Sequence, residues 1–189
     1  MPNIVGNDVD IQDSEIPNVY NIATEKPVRE VMFDIYHYLG ELPISGGWGY
    51  TKEDALVIDM NDPIVDKNVP FNGIGLEYTF AQHRTYLELI TGREEGDRFS
   101  DIQFETIGQE LIHGDNGKKY DKLILNISAL RNQDYKELKK SWENNVSNEE
   151  FDQDAHWKRD KQLRMRTKRE FWFEISSFYG QNISISFED

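Results

Sequence analysis

The chain has 189 residues, a formal net charge of −14, no cysteine and 12% aromatic residues. The absence of cysteine excludes disulfides, thiolate metal sites and cysteine nucleophiles, and the aromatic content is too high for a disordered acidic chain. No apolar stretch is long enough to span a bilayer, and the amino terminus lacks the basic and apolar regions of a signal peptide. We therefore expect a cytoplasmic protein with no membrane association.

The length suits one well-cored domain, and no stretch rich in Ser, Gly or Pro marks a linker. Residues 1–20 are polar, acidic and aperiodic, which predicts a loose N-terminal arm. Residues 21–189 then form a single domain. Its first element is a helix over residues 25–39, because Val28, Met32 and Ile35 recur at helical spacing and predict a stripe that faces the core.

A glycine-rich loop with two aromatic residues follows at 45–50. It precedes a short apolar strand at 55–58 and lacks the pattern of a phosphate-binding loop, which opens a helix. Trp48, Tyr50 and the nearby Asp54 are candidate ligand-binding residues, since aromatic rings offer a large contact area with a polar group at one end. In the alternative interpretation, the glycines make a tight turn and the rings cover the core.

The middle of the chain predicts further strands and helices. Residues 74–91 fit two patterns, since apolar residues alternate from residue 74 to residue 80 as in a strand, while Leu76, Phe80, His83, Leu87 and Ile90 recur at helical spacing. The alternation favours a strand to about residue 80, followed by a short helix. Residues 104–112 and 120–127 flank Asn-Gly, the pair preferred by tight hairpin turns. A helix is predicted over 133–145, and two alternating strands over 171–175 and 183–187. Elements mixed in this order, without a βαβ rhythm, predict an α+β fold with a largely antiparallel sheet, in which hairpins pack against a few helices.

Metal and cofactor chemistry find little support. Counted from Asp59, the sixth position of a calcium loop is Ile64 and the twelfth is Phe71, where glycine and glutamate are needed. Asp152 and His156 are four residues apart, but no third ligand accompanies them clearly. We expect neither a metal nor a cofactor.

The most distinctive feature is a basic segment, residues 157–169, in this acidic chain. Residues 158–170 hold seven basic and two acidic groups. In one interpretation the segment is a solvated helix whose arginines pair with acids of the same fold, such as Asp152 and Asp154. In the other, Arg159, Arg164 and Arg166 bind a partner. Nucleic acid is disfavoured as that partner because a chain of pI about 4.7 repels polyanions.

These observations lead to two hypotheses about function. The first is a binding protein that acts on another protein, in the manner of an inhibitor or regulator, through aromatic and acidic surface. An acidic chain of this size could also cover a basic surface, as a nucleic-acid mimic does. The alternative is an enzyme that binds a small molecule in a pocket around loop 45–50, with a histidine and carboxylates nearby. No catalytic motif in the sequence names a reaction.

Overall fold

The computed structural model describes residues 15–17 and 21–180. These residues form a single α+β domain with four α-helices and a five-stranded sheet, as the sequence predicts. The helices are α1 (Val28–Ile35), α2 (Gly73–Tyr86), α3 (Asn132–Asn145) and α4 (Gln153–Leu163). The strands are β1 (Ile44–Gly46), β2 (Leu56–Ile58), β3 (Phe99–His113), β4 (Lys119–Arg131) and β5 (Met165–Glu174).

The strand order is β1-β2-β5-β4-β3, and the sheet is mostly antiparallel, with one parallel pair between β2 and β5. The predicted hairpin is confirmed as β3 and β4, whose pairing extends from Phe99 opposite Arg131 to His113 opposite Lys119. Gly117 has a φ of 81° in the turn, a conformation that glycine adopts without steric cost. The sequence signal of this hairpin was therefore local and sufficient.

Side chains alternate across β4 and β5, so that the sheet has two chemically different faces. On the inner face Leu123, Phe171 and Phe173 are fully buried. Helix α2 covers this face, and the ring centroids of Phe80 and Phe173 are 6.2 Å apart. Burial of each such side chain contributes about 1.5–3 kcal/mol to stability. On the outer face lie the side chains that meet α3 and α4, namely Asn126, Ser128, Leu130 and Arg166.

The strand predicted from residue 74 to about residue 80 is wrong, because α2 already begins at Gly73. The side chain of Asn72 caps this helix and accepts a hydrogen bond of 2.8 Å from the N–H of Gly75. The residues that alternate in the sequence do not share one face, since Ile74 is 49% exposed and Phe80 is fully buried. The alternation of apolar residues over 74–80 therefore does not mark one face of a strand.

The buried face of α2 includes charged residues, which interrupt its apolar pattern in the sequence. Its buried side carries Glu77, Phe80, Ala81 and Arg84, which are spaced by three and four residues as one helix face requires. Two of these four residues are ionisable, so the face does not read as an apolar stripe. The helical repeat of Leu76, Phe80 and His83 was therefore incomplete, and the alternation over residues 74–80 was given more weight.

The basic segment divides between two elements. Helix α4 ends at Leu163 and β5 begins at Met165, so that the expected continuous helix is wrong. The expected pairing with acids of the same fold is confirmed, since Arg164 pairs with Asp160 and Arg169 with Glu88. Asp152, named as one such acid, instead caps α4 by accepting a hydrogen bond of 2.9 Å from the N–H of Ala155. Strand β5 also begins earlier than the strand predicted over 171–175.

The remaining elements follow the sequence in part. The helix predicted over 25–39 consists of α1 and a 3₁₀ turn at His37–Leu39, and its core-facing residues are Val28 and Met32, whereas Ile35 is 38% exposed. Of the predicted N-terminal arm, the described residues 15–17 include Ile16, which is 2% exposed and donates a 2.9 Å backbone hydrogen bond to the carbonyl of Arg166. The strand predicted over 183–187 lies outside the described residues.

Candidate binding groove

A groove of about 820 Å³ lies between the outer face of the sheet and helices α3 and α4. Its volume is in the range of about 300–1,000 Å³ that is typical of ligand sites. Strand residues form the floor, and helix residues form the opposite wall. The floor includes Gln103, Asn126, Ser128 and Arg166, and the wall includes Tyr135, Leu138, Trp142, His156 and Trp157.

Aromatic rings dominate the helical wall. The ring centroids of Trp142 and Trp157 are 5.1 Å apart, and His156 lies 5.3 Å from Trp142. Phe151, in the connection between the two helices, is 5.9 Å from Trp142. Trp157 is nevertheless 49% exposed, and Trp142 is half-buried. A large ring held in place but left in contact with water is typical of binding surfaces.

The helices hold these rings through one buried anchor and one cap. Leu138 of α3 is 4% exposed, so α3 is fixed against the sheet in its middle. The capping carboxylate of Asp152 fixes the start of α4, the helix that carries His156 and Trp157. The wall is therefore built on helices with defined positions rather than on a loop.

Arg164 is the structural cation of the groove. It is 6% exposed and forms ion pairs with Asp101, at the start of β3, and with Asp160 of α4, the latter at 3.1 Å. A third bond of 2.9 Å goes to the backbone carbonyl of Asp101. Burial disfavours the charged guanidinium, but the carboxylates of Asp160 and Asp101 outweigh it and raise the pKa of Arg164. This side chain fastens α4 to β3.

The remaining charges of the lining are unequal. Lys139, Lys161 and Arg166 contribute three positive charges, and Glu105 contributes one negative charge. Together with Arg164 and its two carboxylates the lining carries a formal charge of +1, in a chain of −14. The groove is thus a locally basic region on an acidic protein, which favours an anionic ligand.

Two of the three predicted partner-binding residues line this groove. Arg164 and Arg166 are both in the lining, whereas Arg159 is not. The guanidinium of Arg159 instead lies 3.4 Å from the carboxylate of Glu137 on α3, in an exposed ion pair. Their role in partner binding stays a prediction.

The predicted ligand-binding loop is held by bonds within the fold. Trp48 is 6% exposed, and its ring lies 6.1 Å from that of Phe80. A carboxylate oxygen of Asp54 accepts hydrogen bonds from the backbone N–H groups of Trp48, at 3.1 Å, and Tyr50, at 3.3 Å. Gly49 has a φ of 73°, and a Cβ there would lie 2.8 Å from the carbonyl oxygen of Trp172. These contacts match the tight-turn alternative, and the enzyme hypothesis for the loop stays a prediction.

Below this loop lies a buried ionic network on the inner face. Arg84 is fully buried and donates to the carbonyls of Trp48 and Gly49, at 2.8 and 3.0 Å. Its Nε lies 3.1 Å from the carboxylate of Glu88, which also accepts a 2.8 Å bond from the hydroxyl of Tyr50 and a 3.1 Å bond from Arg169. Burial lowers the pKa of Arg84 to about 10, against the opposing influence of Glu88. The network joins α2, β5 and the loop.

Three of the four histidines contact groups outside this loop. His83 bonds to the carbonyl of Thr79, at 2.7 Å, and to the hydroxyl of Tyr38, at 2.8 Å. His156 lines the groove, and His113 lies against the ring of Tyr179. Within residues 15–17 and 21–180, no three His, Asp or Glu side chains gather in a way that would hold a metal ion.

Comparison with known proteins adds no relative. No protein-family model matches the chain, and no curated protein or solved structure is significantly similar to it. Among the helices in the described part of the chain, none combines the length and apolar character that crossing a membrane requires.

Sequence reasoning missed the groove itself. Trp142 lies in the helix predicted over 133–145 and Trp157 begins the basic segment, and nothing local indicated that they meet. The available signal was the concentration of Trp142, Phe151 and Trp157 in 16 residues of otherwise polar chain. Aromatic residues in so polar a segment need either a core or a binding surface, and α3 and α4 have little core of their own.

Proposed function

We propose that this protein acts by binding, and that the groove receives an acidic segment of a partner protein anchored by an apolar or aromatic side chain. The observation that carries the proposal is the exposed ring of Trp157, which lies 5.1 Å from the ring of Trp142 in a groove whose lining has a net positive charge. Tryptophan, tyrosine and arginine are the residues in which protein interfaces concentrate their binding energy.

Charge supports an acidic partner segment. An anionic side chain gains from Lys139, Lys161 and Arg166 at the groove, while the acidic remainder of the surface repels it elsewhere. Such complementarity directs a segment to one place and increases the rate of association more than the final affinity. Binding should therefore weaken with salt.

A protein segment fits better than single-stranded nucleic acid, although bases also stack on tryptophan. Asp101, Glu105 and Asp160 lie in the lining with the cations. A phosphate backbone brings one charge per nucleotide and would meet these carboxylates, whereas a peptide alternates charged and neutral side chains. The net charge of −14 further opposes a polyanion.

The test is selection from a random peptide display library against the purified protein. We expect the recovered peptides to be enriched in Asp or Glu next to Trp, Phe, Tyr or Leu. A synthetic peptide of the recovered sequence should bind about tenfold more weakly or worse after Trp157→Ala. Lys161→Glu should weaken it as well and reduce its salt dependence.

Two matched variants control this experiment. Trp172→Ala removes a half-buried tryptophan that does not line the groove, and Lys158→Glu reverses a charge on the same helix outside the lining. Both should bind the peptide like the unmodified protein. Recovery of basic peptides, equal binding by the Trp157 variant, or tighter binding of a single-stranded oligonucleotide would each contradict the proposal.

A further inference from the structure

Two carboxyl groups meet in the interior, on the side of the sheet opposite the groove. Glu77 of α2 is 1% exposed and Asp121 of β4 is 8% exposed. Their side chains are within hydrogen-bonding reach of each other. Gln109 of β3 donates an amide hydrogen bond to one oxygen of Asp121. The pair thus connects the helix to two strands of the sheet.

No cation of the described residues is among the groups that act on Glu77, and the basic residues nearest to Asp121 along this face, Lys119 and His113, lie against the ring of Tyr179. Both oxygens of Glu77 and the other oxygen of Asp121 are buried without a hydrogen-bond partner among the described residues. The register places Leu111 and Phe173, both uncharged, on either side of Asp121. Gln109 is neutral, and Asp121 is the charged group that acts on Glu77. Two adjacent carboxylates in so dry a place cannot both ionise without a large cost.

We propose that Glu77 and Asp121 share one proton, and that this proton fastens α2 to the sheet. The protonated carboxyl donates its O–H to the neighbouring carboxylate, which gives a partner to oxygens that otherwise have none. Loss of the proton leaves two adjacent buried anions, which favours separation of α2 from β4. The pair is therefore a latch that depends on pH and lies outside the binding groove.

The direction of the pH dependence follows from burial and charge. Desolvation and the neighbouring Asp121 raise the pKa of Glu77 from 4.5 to about 9. Because the folded state binds the proton more tightly than the unfolded state, the contribution of this group to stability is full below pH 4.5. It is lost progressively as the pH rises towards 9, and no further loss occurs above that value.

The experiment compares the free energy of unfolding of the unmodified protein and of Glu77→Gln over a range of pH. The amide of glutamine still donates to Asp121 but does not titrate. From about pH 6 to about pH 8, the unfolding equilibrium constant of the unmodified protein should rise relative to that of the variant by about tenfold per pH unit. The exposed Glu41→Gln, which makes the same chemical substitution at the surface, should leave the pH dependence unchanged.

Several outcomes would overturn the latch. Parallel pH curves for the unmodified protein and Glu77→Gln would show that no proton is shared. Stabilisation of the unmodified protein, but not of the variant, by calcium or magnesium at about pH 8 would make the pair a cation site instead. If the variant does not fold, infrared spectroscopy of the unmodified protein decides. A protonated carboxyl band at neutral pH that disappears on alkaline titration supports the latch, and its absence at neutral pH contradicts it.

Discussion

Two arginine sites on opposite faces of the same sheet are built on different principles. On the inner face, Arg84 and Arg169 meet Glu88, and the cation of Arg84 is enclosed by carbonyls and by the ring of Phe171, 3.8 Å from its guanidinium carbon. On the outer face, Arg164 is neutralised by two carboxylates, and the groove lining also contains Lys139, Lys161 and Arg166. The inner site encloses its charges within the fold, whereas the groove lining of the outer site carries a formal charge of +1 and is open to solvent.

The difference arises from one short stretch of sequence. Residues 164–169 run from the end of α4 into β5, where successive side chains point to opposite faces. Arg169 therefore pairs inward with Glu88, and Arg166 lies outward on the groove floor. A basic segment that looks uniform in the sequence thus serves two sites. The site that each arginine joins is set by the face of β5 to which its side chain points, not by the total charge of the segment.

The largest expected loss of stability comes from disrupting the inner site. Arg84→Met removes a buried cation and leaves the carbonyls of Trp48 and Gly49 and part of the Glu88 carboxylate without their donor. We expect a loss of about 3–5 kcal/mol in the free energy of unfolding. Chemical denaturation measures it. Arg159→Met, which removes an exposed pair, should cost no more than about 1 kcal/mol, and equal effects of the two changes would refute the distinction.

The same inner site explains where prediction from sequence succeeded and failed. The β3–β4 hairpin and α3 were predictable because turn chemistry and apolar spacing are local. Helix α2 was misassigned because its buried face carries Glu77 and Arg84, whose partners Asp121 and Gly49 come from other elements. Buried charge is tolerated only when the tertiary structure supplies partners. No spacing rule within α2 contains that information.

The candidate site shows the same limit. Arg164 and Arg166 were identified as partner-binding candidates because their charge stands out in an acidic chain. The groove, however, requires α3 to pack beside α4 and both to cross the outer face of the sheet, which brings Tyr135 and Trp142 to residues 126–128. Such contacts depend on the paths of the helices in space. Composition indicated the chemistry of the site but not its place.

A smaller effect is expected at the structural cation of the outer site. Arg164→Gln removes the ion pairs that fasten α4 to β3 while the groove-facing cations stay. We expect a loss of about 1.5–3 kcal/mol, the usual contribution of hydrogen bonds to charged groups. Thermal and chemical unfolding should agree on it. Arg166→Gln should cost less, and the reverse order would mean that Arg166, not Arg164, fixes the helix.

The smallest effect on stability, and the sharpest separation of the two sites, is expected at Trp157. Its ring is 49% exposed, so Trp157→Ala should change the free energy of unfolding by no more than about 0.5 kcal/mol. The same change should remove most binding of an acidic, aromatic peptide to the groove. Equilibrium unfolding and peptide titration on one preparation measure both quantities. A large loss of stability would instead show that the aromatic rings form a second core that holds α3 and α4 together, and would contradict their role in binding.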